Sequence, residues 1–230
     1  MTTTTVNTPA CVGIIMDGNR RYAREIGIPQ LEGHRRGYER LKEMLEWAQE
    51  ASISYVVVFA FSTENWNRTP EEVSYLMDLT RLVLTEELRI LKERNVRIRC
   101  VGDRSRFAED LQKLMQKAEE ETAKATGTTL VLALSYGGRS EILSAVNRAL
   151  AEGKSPLSEA EFSRYLWTSD MPDPDLIIRT GGEKRLSGFL PWQGVYSELF
   201  FTETKWPAFS KKEFLAILDE FSRRKRNFGK

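Results

Sequence analysis

Seven consecutive apolar residues, Tyr55-Val56-Val57-Val58-Phe59-Ala60-Phe61, leave no side of an extended segment for water. Strands that are apolar on both faces belong to parallel sheets covered by helices. Val12 to Met16, Thr129 to Leu134 and Leu176-Ile177-Ile178 read the same way and are too short for helices. Arg97 to Val101 adds a strand, and Ser197 to Phe201 supplies a last one. Helical patterns alternate with these runs. Tyr38, Leu41, Leu45 and Ala48 recur at three and four residues and mark an amphipathic helix over Gly33 to Glu50. Thr69-Pro70-Glu71-Glu72 predicts a helix start, with Thr as cap, Pro at the first position and Glu72 closing a capping box. An apolar stripe from Val73 to Leu91 then carries one long helix to Arg94. Phe107 to Ala118 predicts another helix, Tyr136-Gly137-Gly138 a turn, and Glu141 to Leu150 a short helix. Ser158 with Glu161 predicts a second capping box, and Ser210 to Arg223 a final helix. The expectation is an α/β fold: a single domain over residues 11–230, with a mostly parallel central sheet flanked by helices and a flexible N-terminus over 1–10.

Composition narrows the class. The chain has 230 residues, 41% of them hydrophobic, enough for one good core. A net charge of +1 gives no nucleic-acid footprint. Cys11 and Cys100 lie in apolar runs without a CxxC, which argues against a disulfide framework or a thiolate zinc site and fits a reducing, cytoplasmic setting. The Thr-rich start carries no basic segment and no long apolar run, so it does not read as a signal peptide. The longest apolar stretch is too short to span a bilayer, and any membrane contact is expected to be peripheral.

Chemistry-bearing residues gather just after strands. The run to Met16 is followed at once by Asp17-Gly18-Asn19-Arg20-Arg21. In parallel α/β proteins ligands bind beyond the C-terminal ends of strands. Gly18 lets backbone donors approach an anion, Asn19 can donate, and Arg21 offers a bidentate fork to phosphate. Asp17 alone would repel a diphosphate, which a magnesium ion between them would resolve. The plain alternative is an Asp-Gly turn with solvated arginines. Ser62, Asn65, Trp66 and Arg68 follow the second strand; they read as a ligand-facing set or as a capped connection with Trp66 in the core. Arg179-Thr180-Gly181-Gly182-Glu183-Lys184-Arg185-Leu186-Ser187 forms a third, strongly basic set without nucleotide P-loop spacing. His34, the only histidine, stands at the expected start of a helix. Glu198 lies beside an apolar strand pattern and is either a partner for Asp17 or a surface carboxylate.

The chain resembles the cis-prenyltransferases of the undecaprenyl diphosphate synthase kind. The resemblance runs from Cys11 to Gly229 and is carried by Asp17-Gly18-Asn19, Gly33-His34, Phe61-Ser62 with Glu64-Asn65-Trp66, and Tyr136-Gly137-Gly138. Asp175 to Glu183, Arg185-Leu186-Ser187, Trp192-Gln193, Tyr196, Glu198 and Trp206-Pro207 complete it. It implies an apolar tunnel, a homodimer, and magnesium-dependent condensation of isopentenyl diphosphate onto an allylic diphosphate such as farnesyl diphosphate, giving a medium- or long-chain product. By family role Asp17 binds magnesium and Asn65 assists proton removal, these two being the catalytic pair. Gly18, Asn19, Arg20, Arg21, Arg24, His34, Ser62 and Arg68 surround the allylic diphosphate. Arg179, Arg185 and Ser187 hold isopentenyl diphosphate. Tyr22, Ala60 and Trp66 belong to the substrate pocket. Glu198 is the second metal-associated carboxylate, reaching its own site or that of a dimer partner.

The sequence departs from the family pattern at Arg20, Tyr22, Gln30, Gly188 and Asn227; Arg226 is a candidate substitute in the C-terminal tail. Ala60 is small where bulk would limit tail growth, while Met77 or Leu84 could close the tunnel. A short-chain (C15–C20) cis-synthase and a noncatalytic prenyl-diphosphate-binding subunit are the other readings.

Overall fold

Segments apolar on both faces take the middle of the sheet. The strands are β1 (Cys11–Ile15), β2 (Tyr55–Ser62), β3 (Arg97–Val101), β4 (Thr129–Tyr136), β5 (Leu176–Arg179) and β6 (Glu198–Phe201). They lie in the order β3-β4-β2-β1-β5-β6, and every neighbouring pair is parallel. β1, β4 and β5 are buried along their whole lengths, whereas β6, at an edge, is partly open. The computed structural model describes residues 8–225. Most of the expected flexible N-terminus, and the departures at Arg226 and Asn227, lie outside the described residues.

The two-residue period of the strands sorts their side chains between two faces. On one, Val12, Ile14, Val56 and Val58 meet Leu41, Met44, Leu45 and Ala48 of α2 (Gln30–Glu50) and Phe214 and Phe221 of α8 (Lys211–Arg223). On the other, Cys11, Ile15, Val57 and Val131 pack with Tyr136, Phe189 and Leu190. The remaining helices are α1 (Asn19–Glu25), α3 (Pro70–Leu84), α4 (Leu88–Glu93), α5 (Glu109–Thr122), α6 (Gly138–Ala151) and α7 (Glu159–Ser163). Capping boxes at Ser158 with Glu161 and at Ser210 with Glu213 open α7 and α8.

Several local expectations are corrected. The helix expected from Gly33 starts at Gln30, so His34 lies a turn inside it and is buried rather than at an open end. The long helix expected to reach Arg94 breaks after Leu84, where Thr85 takes φ −123° and ψ −78°. The Thr80 and Thr85 hydroxyls donate to the carbonyls of Leu76 and Arg81, at 2.8 and 2.7 Å. Such back-bonding competes with the helical ladder and bends it. Tyr136 ends β4 and Gly138 already opens α6, so the expected turn reduces to a strand-to-helix junction.

Chain order fixes where a crevice must form. β1 is followed by β2 on one side of it, while β5, its neighbour on the other side, is followed by β6 still further out. In open parallel sheets ligands bind where the connections diverge in this way. Residues just after β1 and β5 therefore share one cleft.

Candidate active site

Asp17 and Arg179 meet across that cleft. Ile15 of β1 pairs in register with Arg179, the last residue of β5. Arg179 is 5% exposed, and its Nη2 donates to Asp17 Oδ2 at 2.9 Å. Its Nη1 donates to Ser187 Oγ at 2.8 Å and to the Arg185 carbonyl. Ser187 reaches this position at φ +51°, a strained value for a residue with a side chain. Arg21 approaches the other Asp17 oxygen, with Nη2 at 3.1 Å. Burial pushes the Asp17 carboxyl up, but the hydrogen bond from Arg179 and the charges of Arg21 and Arg179 more than reverse this and hold it below the usual carboxylate value.

Two glycines make this approach possible. Gly18 stands at φ +103°, and a Cβ there would come within 2.8 Å of Lys205 side-chain atoms. Gly181 stands at φ +86°, and its Cβ would meet Arg21 Nη2 at 2.8 Å and the Asp17 carbonyl at 3.0 Å. Thr180 ties the two loops together by donating its hydroxyl to the Asp17 carbonyl at 2.8 Å.

A polar basin opens beside Asp17. It is lined by Met16 to Arg21, Arg24, Gln30, His34 and Arg68, and encloses about 700 Å³ with its open mouth included. Four guanidiniums against one carboxylate make it an anion site. Met16, Asn19 and His34 also line a second, apolar cavity of about 650 Å³, its mouth again included. Gly37, Tyr38, Leu41, Ala60, Phe61, Leu76, Leu79, Thr80, Val83, Leu132, Leu134 and Trp206 complete that cavity, between α2, α3 and the sheet. A charged chamber that shares a wall with a greasy one suits a ligand with an anionic head and a hydrocarbon tail.

The cleft thus brings together Asp17, Gly18, Asn19, Arg20, Arg21, Arg24, His34 and Arg68, with Arg179 and Ser187 on its β5 side. Arg185 points a largely exposed side chain to Glu183. Ser62 and Asn65 face one another, the Asn65 amide oxygen accepting from the Ser62 N–H at 3.0 Å. Ala60 lines the apolar cavity; Trp66 stands behind the cavity residue Phe61, ring centroids 4.8 Å apart, and donates to Ser135 Oγ. Tyr22 lies on α1 with its hydroxyl 3.4 Å from Arg36 Nη1. Met77 and Leu84 pack into the core, and Leu76, Leu79, Thr80 and Val83 form the cavity wall from α3 instead.

Glu198 stands apart from this cleft. It opens β6 level with Leu176, whereas Arg179 is level with Phe201. Three residues of strand, about 10 Å, separate Glu198 from the level of Arg179, in the direction away from Asp17. Its carboxylate accepts from Arg224 Nη1 at 2.6 Å. It does not pair with Asp17 of its own chain. No group of three or more His, Cys, Asp or Glu side chains poised for a metal ion occurs among the described residues. Glu72, expected to cap α3, is the residue that sequence reasoning missed. Its backbone N–H meets Thr69 Oγ1 at 3.4 Å, but its carboxylate turns inward to His34 Nε2 at 3.0 Å and Arg68 Nη1 at 2.7 Å.

Comparison with known proteins agrees with this geometry. The prenyltransferase family model described as "Putative undecaprenyl diphosphate synthase" matches residues 15–229. An "Isoprenyl transferase" of Thermotoga maritima is 46% identical over 225 residues, covering 96% of this chain and 97% of the relative. One from Aquifex pyrophilus is 48% identical over 222 residues, covering 96% of each. Among solved structures, lavandulyl diphosphate synthase from Lavandula x intermedia, in complex with dimethylallyl diphosphate, superposes with a TM-score of 0.92 at 33% identity, covering 97% of this chain and 99% of that one. A "probable undecaprenyl diphosphate synthase" from Campylobacter jejuni gives 0.83 at 36% identity, covering 97% and 100%.

Proposed function

The chain belongs to the undecaprenyl diphosphate synthase family of cis-prenyltransferases, and from that premise we propose that it extends an allylic diphosphate with isopentenyl diphosphate to a medium- or long-chain cis-polyprenyl diphosphate. The observation that carries this reading is the shared wall of Met16, Asn19 and His34 between an arginine-lined basin and an apolar cavity. The allylic diphosphate sits in the basin among Arg20, Arg21, Arg24, Arg68 and the Gly18-Asn19 turn, and its tail enters the apolar cavity. Each buried methylene adds about 0.8 kcal/mol of transfer free energy. Isopentenyl diphosphate takes the other side of Asp17, on Arg179, Arg185 and Ser187.

In this pose the allylic C1–O bond breaks as the double bond of isopentenyl diphosphate attacks C1. Negative charge grows on the leaving diphosphate, where preorganised guanidiniums and backbone donors stabilise it. A proton then leaves the carbon beside the cationic centre of the isopentenyl unit for an oxygen of the released diphosphate, closing the new double bond with cis geometry; Asn65, which its bond to the Ser62 N–H holds in place, orients that transfer.

Family membership implies a divalent cation, and the donor chemistry fits magnesium. Magnesium takes one or two carboxylates together with substrate phosphates and water, rather than an all-protein cage. Asp17 is such a carboxylate, anionic and beside the basin. Bound there, the ion would neutralise diphosphate charge. For Glu198, which the strand register sets apart from Asp17 of its own chain, we propose a place at the site of a second subunit. A homodimer through the open β6 edge, where Val195, Tyr196 and Leu199 are exposed, is proposed with it. No helix among the described residues is long and apolar enough to cross a membrane.

The test is Asp17→Ala. Magnesium-dependent incorporation of isopentenyl diphosphate should fall by about 10³-fold, the scale of losing charge stabilisation at the leaving group. Turnover that keeps its rate and magnesium dependence in this variant would overturn the assignment.

A further inference from the structure

Glu72 carries an inference beyond the reaction itself. The residue is 8% exposed, and its carboxylate gathers three groups of the basin wall from three separate segments. His34 Nε2 of α2 lies at 3.0 Å, Arg68 Nη1 from the loop before α3 at 2.7 Å, and Arg20 Nη1 of α1 at 3.5 Å. A carboxylate desolvated to this degree persists only with such partners. Burial alone would raise its carboxyl; the His34 hydrogen bond and the charges of Arg68 and Arg20 bring it below its ordinary 4.5, so it is anionic at neutral pH.

An anionic carboxylate only accepts hydrogen bonds. The imidazole nitrogen facing it must therefore carry the hydrogen. Burial is the largest influence on His34 and leaves its pKa below the ordinary 6.5, so the ring is neutral, with hydrogen on Nε2 and none on Nδ1. The two arginines are held unequally. Arg68 is close and three-quarters buried, whereas Arg20 is more distant and half exposed.

We propose that Glu72 is the positioning residue of the allylic end of the site: it fixes His34 as the Nε2–H tautomer and clamps Arg68, leaving Arg20 loosely held to turn onto an arriving diphosphate. This deepens the prenyl-transfer reading and rests on it. Glu72 touches no substrate in this account and acts through the three side chains it holds. Replacing it with the neutral isostere Gln frees the tautomer, because an amide both donates and accepts, and it removes the charge that fixes Arg68.

The experiment exploits the single histidine of the chain. Nitrogen-15 imidazole spectra of the wild-type protein at neutral pH, without substrate, should show one neutral ring protonated at Nε2. In Glu72→Gln that signature should shift toward the other tautomer. The KM for the allylic diphosphate should rise about tenfold, as for the loss of one charge-assisted hydrogen bond, while the KM for isopentenyl diphosphate stays within about twofold. A purely structural role would raise both KM values together or neither. A wild-type ring protonated at Nδ1 overturns the inference, and so does an allylic KM unchanged or lowered in Glu72→Gln. The wild-type spectrum needs no variant to fold and no turnover. A wild-type protein inert toward both substrates would instead defeat the prenyl-transfer reading, whatever the imidazole shows.

Discussion

Arg179 shows how much one side chain decides in this molecule. Its guanidinium reaches Asp17, Ser187 and the Arg185 carbonyl at once, and so joins the end of β1 to the loop after β5. A lysine keeps the charge and has three donors, but all on one nitrogen; it lacks the planar fork whose Nη2 faces Asp17 while Nη1 faces Ser187 and the Arg185 carbonyl. Arg179→Lys is expected to lower kcat/KM for isopentenyl diphosphate by about 10²-fold, since positioning and charge stabilisation fail together. Arg179→Ala should also cost about 2 kcal/mol of stability in urea unfolding. That is less than the 3–5 typical of a fully buried pair, because the Asp17 side chain is 29% exposed. A lysine variant with wild-type kinetics would remove Arg179 from the site. The identity of these residues was legible in the sequence, as an acidic and a basic cluster each closing an apolar run. Their direct contact was not, because it depends on β1 and β5 being neighbours in register, and 162 residues separate the pair.

Between elements, the link from α2 to α3 through His34 and Glu72 makes stability depend on pH. The folded value of His34 lies below 6.5. Between that value and 6.5 the unfolded chain binds more protons, so stability falls as pH drops below 6.5. Glu72 is depressed below 4.5, so its contribution is present above 4.5 and is lost as pH falls through the lower folded value. Both effects run the same way. The urea midpoint should decline as pH falls from about 7 to about 5, and again in the more acid range. His34→Gln should flatten the first decline, while the second persists in weakened form because Arg68 and Arg20 still hold the Glu72 carboxyl down; a midpoint equally pH-dependent in that variant would contradict this. The same pair shows where sequence reading stops. Thr69-Pro70-Glu71-Glu72 spells a helix start, and α3 does begin there. The local pattern assigns the Glu72 carboxylate to the cap, but its true partner His34 lies 38 residues away. Likewise the leucine stripe past Leu84 concealed the break at Thr85, which arises from backbone and hydroxyl geometry rather than from hydrophobic spacing. The strands were readable almost to the residue, because burial on both faces leaves a signature that needs no partner to interpret.

At the scale of the whole molecule, a parallel sheet delivers both charged clusters to the C-terminal ends of neighbouring strands and leaves an apolar chamber between that sheet and α2 and α3. The same polarity that unites Asp17 with Arg179 carries Glu198 to the opposite end of its strand, a consequence no residue pattern reveals. Ala60 lines the chamber with the smallest side chain among its strand residues. Filling it with Leu should shorten the products, because the added branched carbons occupy space the growing tail would use, and overpacking a formed wall costs about 1–3 kcal/mol. Chromatography of products from Ala60→Leu and wild type would show the shift, and an unchanged distribution would place the limiting wall elsewhere. The most direct measurement of the central claim is a single incubation of the purified protein with magnesium, farnesyl diphosphate and labelled isopentenyl diphosphate, followed by product sizing and assignment of double-bond geometry. The account predicts label in cis-polyprenyl diphosphates longer than the starter, abolished by chelation of magnesium. No incorporation, or products whose new double bonds are all trans, would contradict it.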